Sequence, residues 1–189
     1  MFDLMRQFIL DSKTGAVARS SEEFANLIAD TANLSNAQTV VELGPGTGTY
    51  TEKILERISD DTVFFSLEIN PFFVKEAKKR CPSAIVYQDS AANVNKYLKK
   101  HGVDGCDCII SGLPWACFDR ELQENLLRAI VDALNPGGEF VASACLPGIL
   151  FLPTGKRFRN MLGDRFKKVT TSGIVWKNIP PALVYYCKK

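Results

Sequence analysis

Short apolar runs alternate with segments of helical periodicity along most of the chain. Strands are predicted at residues 39–43, 62–69, 84–87, 106–110 and 139–145. Between them, apolar residues spaced three and four apart predict helices at 50–58, 71–80, 91–100 and 120–134, with Asp119 as a cap for the last. This alternation is typical of a parallel sheet with helices on both faces.

The two ends of the chain depart from this pattern. Residues 2–10 carry apolar side chains at helical spacing and predict a short helix that docks on the core or lies on a membrane, and Ser20-Ser21-Glu22-Glu23 predicts a capped helix start. Residues 166–176 and 182–187 predict two strands with no helix between them, hence an antiparallel hairpin at the sheet edge. Residues 146–164, a loop or helical segment, mix apolar with basic side chains. We expect one domain over residues 1–189, with a core at 38–187 and N-terminal helices at 1–35 that cap the site or contact a membrane.

A glycine-rich stretch follows the first strand, from Glu42 to Thr49. Gly44, Gly46 and Gly48 permit a sharp turn into a helix and leave bare backbone against which a ligand can lie. The spacing differs from dinucleotide and phosphate-binding loops, and no lysine follows. The acid at Glu42 would repel a pyrophosphate but suits an ammonium or sulfonium group. The stretch therefore favours S-adenosylmethionine as the cofactor, against the alternative of a tight turn with no ligand.

The next two predicted strands also end in polar residues, where ligands bind in open α/β sheets. Glu68 follows the second strand and is placed to accept hydrogen bonds from two ribose hydroxyls. Asp89 and Ser90 follow the third strand; Asp89 could accept from an adenine amino group or cap the following helix. Ile69 could supply an apolar wall for the purine.

The fourth predicted strand ends in Ser111-Gly112-Leu113-Pro114-Trp115, where we expect the reacting group. Pro114 fixes the backbone so that carbonyls around Ser111, Gly112 and Leu113 could orient an amine. Trp115 offers a ring face for a methylated ammonium, with core packing as the alternative.

Charge and cysteine content limit which macromolecules, metals and cellular compartments fit this chain. Residues 147–189 contain nine Lys or Arg and one acid, although the whole chain has a net charge of only +2. A basic end indicates nucleic acid, acidic lipid or simply a solvated face. The six cysteines include no C-x-x-C pair and His101 is the single histidine, so no metal site is predicted. No signal peptide or membrane-spanning run is evident, which favours the cytoplasm.

Together, residues 42–48, Glu68, Asp89 and the Ser111–Trp115 stretch resemble class I S-adenosylmethionine-dependent methyltransferases. The resemblance implies a Rossmann-like fold with a seven-stranded, mostly parallel sheet and an antiparallel hairpin at its edge. It also implies that Glu42, Gly44, Gly46, Gly48, Thr49, Glu68, Ile69, Asp89 and Ser90 bind the cofactor, and that Ser111, Gly112, Leu113 and Trp115 form the catalytic loop.

A narrower resemblance is to bacterial-type phospholipid N-methyltransferases. It rests on residues 15–21, 43–48, 68–71, 111–114 and 176–182. It implies methylation of phosphatidylethanolamine by a protein held peripherally on the inner, anionic face of the membrane. The alternatives are ribosomal RNA adenine N6-methylation, whose enzymes resemble this chain at the glycine loop but carry Asn where Gly112 stands, methylation of another small amine, and a non-enzymatic binding module.

Overall fold

A seven-stranded sheet forms the centre of the molecule in a computed structural model that describes residues 20–189. The strands are β1 (Thr39–Leu43), β2 (Val63–Glu68), β3 (Val86–Gln88), β4 (Cys106–Ser111), β5 (Leu134–Cys145), β6 (Lys168–Thr171) and β7 (Ala182–Lys188). Their order across the sheet is β3-β2-β1-β4-β5-β7-β6. β7 runs antiparallel to both of its neighbours, β5 and β6, and the other four strand pairs are parallel. The predicted Rossmann-like fold is therefore confirmed.

Helices connect the strands and cover both faces of the sheet. They are α1 (Glu22–Thr31), α2 (Thr49–Leu55), α3 (Pro71–Arg80), α4 (Val94–Lys100), α5 (Arg120–Ala133), α6 (Leu146–Phe151) and α7 (Pro153–Arg165). Capping residues set several of their starts: Ser21 accepts from the Phe24 amide and Asp119 from the Leu122 amide, as the sequence predicted.

Alternation of side chains along the strands creates two apolar cores. On one face Val41, Phe65 and Ile109 pack with α4, α5 and α7. On the other face Val40, Phe64 and Ile110 pack with α1, α2 and α3. Parallel sheets are typically buried on both faces, as here. Because β1 to β5 run parallel, their carboxyl ends lie at the same edge of the sheet.

The C-terminal region confirms one prediction and corrects another. The antiparallel hairpin of β6 and β7 lies at the sheet edge, as predicted, with β7 inserted between β5 and β6. The strand predicted over residues 166–176 is confined to Lys168–Thr171, because the Ser172 side chain accepts the Val184 amide and replaces a ladder bond. Residues 146–164 form α6 and most of α7.

Two further observations concern Cys145 and His101. Cys145 is exposed at the end of β5. His101 directly follows α4 and stacks on Phe65, and burial lowers its pKa. Within residues 20–189 no helix is long and apolar enough to cross a membrane, and no three metal-binding side chains are grouped together. The helix predicted at residues 2–10 lies outside the described part of the chain.

Candidate active site

The glycine loop connects β1 to α2 and adopts left-handed backbone at three positions. The φ angles of Gly44, Gly46 and Gly48 are +74°, +55° and +82°, a region that side chains disfavour. Gly44 also leaves room for Leu113, whose Cδ2 would lie 2.8 Å from an added Cβ. Nothing lies within 4 Å of a Cβ placed on Gly46, so the middle of the loop presents open backbone. Thr49, the first residue of α2, accepts a hydrogen bond from Arg80 at 3.1 Å.

Glu42 lies in β1 and is completely buried. Its Oε2 accepts hydrogen bonds from the hydroxyls of Thr51, at 2.7 Å, and Ser66, at 2.8 Å. Its Oε1 is buried and has no hydrogen-bond partner among the described residues. Burial raises the pKa of Glu42 from 4.5 to about 7, since a charged carboxylate in the core loses its hydration. A buried acid of this kind is costly for the fold and indicates a functional position.

Glu68 ends β2 and is almost fully buried beside the glycine loop. Its Oε2 accepts from the Gly46 amide at 3.3 Å, and its Oε1 accepts from the Asn70 amide at 2.9 Å. Burial raises its pKa, although the backbone donors oppose this. Because each carboxylate oxygen can accept more than one hydrogen bond, both remain able to accept from a ligand.

Asp89 follows β3 and is occupied by donors from its own segment. Its carboxylate accepts from the Ser90 amide and from the side chains of Asn93, Lys96 and Tyr97, at 2.7–3.0 Å. The hydrogen bond from Lys96, with those from Asn93 and Ser90, holds its pKa below the ordinary value. Asp89 thus organises the start of α4, while Ser90 caps the short 3-10 turn by accepting the Ala92 amide.

An apolar surface accompanies these acids. Ile69, directly after Glu68, is 56% exposed, which agrees with the predicted wall for a purine ring.

The loop after β4 is organised by Ser111. The Ser111 hydroxyl accepts from the Leu113 amide at 3.3 Å and from the Trp115 indole at 3.0 Å. The Leu113 and Pro114 carbonyls accept from amides of the same loop, whereas the Gly112 carbonyl accepts no hydrogen bond from residues 20–189. Among the carbonyls expected to orient an amine, that of Gly112 is therefore available to accept a hydrogen bond from a substrate amine.

Trp115 corrects one part of the predicted site. Its ring is only 2% exposed and stacks on Phe158 with centroids 4.3 Å apart. Phe118 and Phe140 contact it edge-on. Because the ring is enclosed by the core, it presents no face to an ammonium group, and core packing, the alternative interpretation, describes its place.

Gly112 joins the catalytic loop to the glycine loop. Its amide donates to the Leu43 carbonyl at 2.9 Å, and an added Cβ would lie 2.5 Å from the Gly44 carbonyl oxygen and 3.3 Å from the Tyr50 ring. Any side chain at position 112 would therefore force the two loops apart.

Two side chains near this junction were not singled out from the sequence. Tyr50 packs beside Gly112 and its hydroxyl accepts from Ser20 at 2.8 Å; burial raises the pKa of Tyr50 to about 12. Asn178 accepts the Ser21 amide and donates to the Pro180 carbonyl, so it attaches the segment before β7 to the start of α1. Asn178 belongs to residues 176–182, which carry part of the narrower resemblance, but nothing local in that stretch indicates its contact with α1, which is distant in sequence.

The described residues fit S-adenosylmethionine better than a phosphorylated cofactor. The open backbone at Gly46, the buried acids Glu42 and Glu68 and the exposed Ile69 meet at one edge of the sheet. The unpartnered Glu42 oxygen leaves an acceptor for a cationic donor, which would favour the ionised carboxylate, and residues 42–51 include no Lys or Arg to balance a phosphate.

Comparisons with known proteins agree with this assignment. The model of the ribosomal RNA adenine dimethylase family matches residues 19–99. An ornithine lipid N-methyltransferase from Singulisphaera acidiphila is 31% identical over 156 residues, which cover 81% of this chain and 77% of that protein.

Solved structures show the same fold at low identity. An O-methyltransferase from Bacillus cereus in complex with S-adenosylhomocysteine superimposes with a TM-score of 0.74 at 11% identity, over 97% of this chain and 90% of that one. TomG, an O-methyltransferase from Streptomyces achromogenes in complex with S-adenosylmethionine, has a TM-score of 0.71 at 18% identity, over 92% and 83% of the two chains. The chain is therefore an S-adenosylmethionine-dependent methyltransferase of class I, and it belongs to the same family as the Singulisphaera acidiphila enzyme.

Proposed function

We propose that this protein methylates the primary amine of a membrane-lipid head group, with phosphatidylethanolamine as the principal acceptor. The observation that carries the proposal is the extent of the match to the ornithine lipid N-methyltransferase. A match of 156 residues in a chain of 189 must include the Ser111–Trp115 loop as well as the cofactor half. Both lipids present a primary amine at the membrane surface.

The cofactor would be held by the carboxyl ends of β1, β2 and β3. Gly46 leaves space for it against open backbone, Glu68 would accept hydrogen bonds from the ribose hydroxyls, and Ile69 would cover the adenine. We expect the Ser90 end of β3 to contribute through its backbone, because the Asp89 carboxylate is already occupied by Lys96, Asn93 and Tyr97. S-adenosylmethionine, when bound, supplies an electrophilic methyl group.

The loop after β4 would position the acceptor. Only an unprotonated amine has the lone pair needed for attack on a methyl carbon, so the head group must lose a proton first. The Gly112 carbonyl, free of protein donors within residues 20–189, would accept a hydrogen bond from the amine and so orient its lone pair. No residue of this loop is a base, and the proton would pass to water.

Adenine methylation in ribosomal RNA is the second candidate, because the dimethylase family model matches this chain. That match ends at residue 99, before the loop that would contact the acceptor. The asparagine that such enzymes carry there cannot stand at Gly112, since its Cβ would lie 2.5 Å from the Gly44 carbonyl oxygen. The loop geometry therefore favours the lipid amine.

A side-by-side assay with methyl-labelled S-adenosylmethionine separates these candidates. Purified protein is mixed with vesicles containing phosphatidylethanolamine, with vesicles containing ornithine lipid, and with ribosomal RNA. We expect label in the phosphatidylethanolamine fraction and none in RNA. The matched control is Glu68→Ala, which should lose transfer to every acceptor because it weakens cofactor binding.

Each result decides one part of the proposal. Label in ornithine lipid alone would keep lipid-amine methylation and reject phosphatidylethanolamine as the acceptor. Label in RNA and in neither lipid would reject the proposed function.

A further inference from the structure

Large exposed apolar side chains are concentrated at one edge of the sheet. Within residues 20–189 nine such side chains are exposed, and eight of them lie in segments at the carboxyl ends of β2, β5 and β6: Ile69, Phe72, Leu150, Phe151, Leu152, Ile174, Trp176 and Ile179. The ninth, Ile85, precedes β3 at the opposite edge. Since the carboxyl edge also carries the candidate active site, this distribution indicates a surface related to the substrate.

Two segments contribute the most exposed of these side chains. Phe151 at the end of α6 is 78% exposed, and Trp176 and Ile179 between β6 and β7 are 68% and 75% exposed. We call the surface formed by Leu150, Phe151, Leu152, Trp176 and Ile179 the apolar edge.

The two segments are tied to each other. The Leu146 amide, at the start of α6, donates to the Pro181 carbonyl at 2.7 Å, and Cys145 pairs with Ala182 across β5 and β7. Asn178 fixes the second segment to the start of α1 through the Ser21 amide. The apolar edge is therefore a structured surface on the folded core.

Basic side chains accompany the apolar edge. Lys156 and Arg157 lie in the second turn of α7, directly after α6, and Lys156 is exposed. Lys177, next to Trp176, is 85% exposed, and its one ion pair within residues 20–189 is a 3.7 Å contact with Glu23. Asp164, the single acid in residues 147–189, lies near the C-terminal end of α7. Apolar side chains with basic neighbours match the boundary of an anionic bilayer.

We propose that the apolar edge inserts into the head-group region of an anionic membrane and so presents the candidate active site to lipid amines. This inference rests on the proposed function. Three of the five side chains, Leu150, Leu152 and Ile179, are aliphatic, whereas a surface for single-stranded RNA would need a series of aromatic rings along a basic groove. Insertion would place the Gly112 loop at the level of the head groups, so a lipid amine would reach it without leaving the bilayer.

Trp176 provides a direct reporter. The chain has two tryptophans, and Trp115 is 2% exposed whereas Trp176 is 68% exposed. Fluorescence is recorded with vesicles of phosphatidylglycerol and phosphatidylethanolamine whose acyl chains carry bromine, a short-range quencher. We expect quenching and a blue shift in the wild type. Trp176→Phe, which keeps an apolar ring, should abolish both, since Trp115 stays in the core.

Vesicle sedimentation tests whether the same surface provides affinity. Phe151→Ser should weaken binding to these vesicles about tenfold, because a largely exposed phenylalanine would otherwise be buried in lipid. Ile85→Ser removes a comparably exposed side chain from the opposite edge and should bind like the wild type. Vesicles of neutral lipid should bind about tenfold more weakly than anionic ones because Lys156 and Lys177 lose their partners.

Activity on detergent-dispersed lipid separates this inference from the proposed function. Phe151→Ser should methylate dispersed phosphatidylethanolamine at the wild-type rate and lose activity only on vesicles. If the wild-type protein methylates neither dispersed phosphatidylethanolamine nor vesicles, the proposed function itself is rejected.

Other occupants of the apolar edge would overturn the inference. If residues 1–19 or another protein cover it, Trp176 stays unquenched and Phe151→Ser binds vesicles like the wild type. If a second copy of the chain covers it, sedimentation shows a dimer that Phe151→Ser dissociates, again without quenching.

Discussion

Replacement of Glu42 by Gln tests the most unusual feature of the site, its buried carboxyl group. Gln has nearly the same shape and its carbonyl oxygen can still accept from Thr51 and Ser66, but it cannot ionise. Any difference between the two proteins that depends on pH therefore reports the charge of Glu42.

The expected magnitude follows from the pKa of Glu42. Burial raises that pKa from 4.5 to about 7, and the difference corresponds to about 3 kcal/mol. Below about pH 4.5 the carboxyl is protonated in both the folded and the unfolded chain. Between about pH 4.5 and about pH 7 the folded chain keeps a proton that the unfolded chain has lost, so stability falls across this range, and the loss is complete once the pH exceeds about 7.

Urea unfolding without cofactor measures this effect. Between about pH 5 and about pH 8.5 the wild type should lose about 2–3 kcal/mol of unfolding free energy relative to Glu42→Gln. The exposed Glu121 supplies a control, and Glu121→Gln should follow the wild type at both pH values. Equal pH dependence of the wild type and Glu42→Gln would refute the assignment of Glu42 as a buried acid with a raised pKa.

Three further substitutions test other parts of the site. Gly112→Ala places a Cβ 2.5 Å from the Gly44 carbonyl oxygen and should lower the rate of methyl transfer at least tenfold while costing about 1–3 kcal/mol of stability; a wild-type rate in the labelled-cofactor assay would contradict the contact between the loops. Glu68→Ala should sharply weaken S-adenosylmethionine binding in calorimetry, and unchanged affinity would reject its ribose role. Asn178→Ala leaves the Ser21 amide without its acceptor and should lower the free energy of unfolding by about 1–3 kcal/mol, which urea unfolding measures; an unchanged midpoint would show that this contact does not hold α1.

The parallel sheet and the glycine loop could be predicted because local sequence dictates both. Apolar runs such as β1 are buried on both faces, and the left-handed φ angles at Gly44, Gly46 and Gly48 leave little choice of residue. The acids Glu42 and Glu68 were found for the same reason, since an ionisable group beside an apolar strand is costly without a function.

Features decided by contacts between distant residues could not be predicted. Trp115 lies in the core because Phe158 of α7 stacks on it, and its own segment gives no sign of that partner. The Asp89 carboxylate accepts hydrogen bonds from Lys96 and Tyr97. The sequence places both on a helix but does not show that their side chains reach Asp89.

The central claim is that the methyl acceptor is a lipid amine, and mass spectrometry of the product tests it most directly. Purified protein is incubated with S-adenosylmethionine and, in separate reactions, with vesicles of phosphatidylethanolamine, vesicles of ornithine lipid, or ribosomal RNA. The mass of the extracted lipid reports added methyl groups, and fragmentation locates them. We predict phosphatidylethanolamine that has gained one or more methyl groups, all on the head-group nitrogen, and none with Glu68→Ala. The claim would be contradicted if the same preparation transferred methyl groups to ribosomal RNA and left both phosphatidylethanolamine and ornithine lipid unmodified.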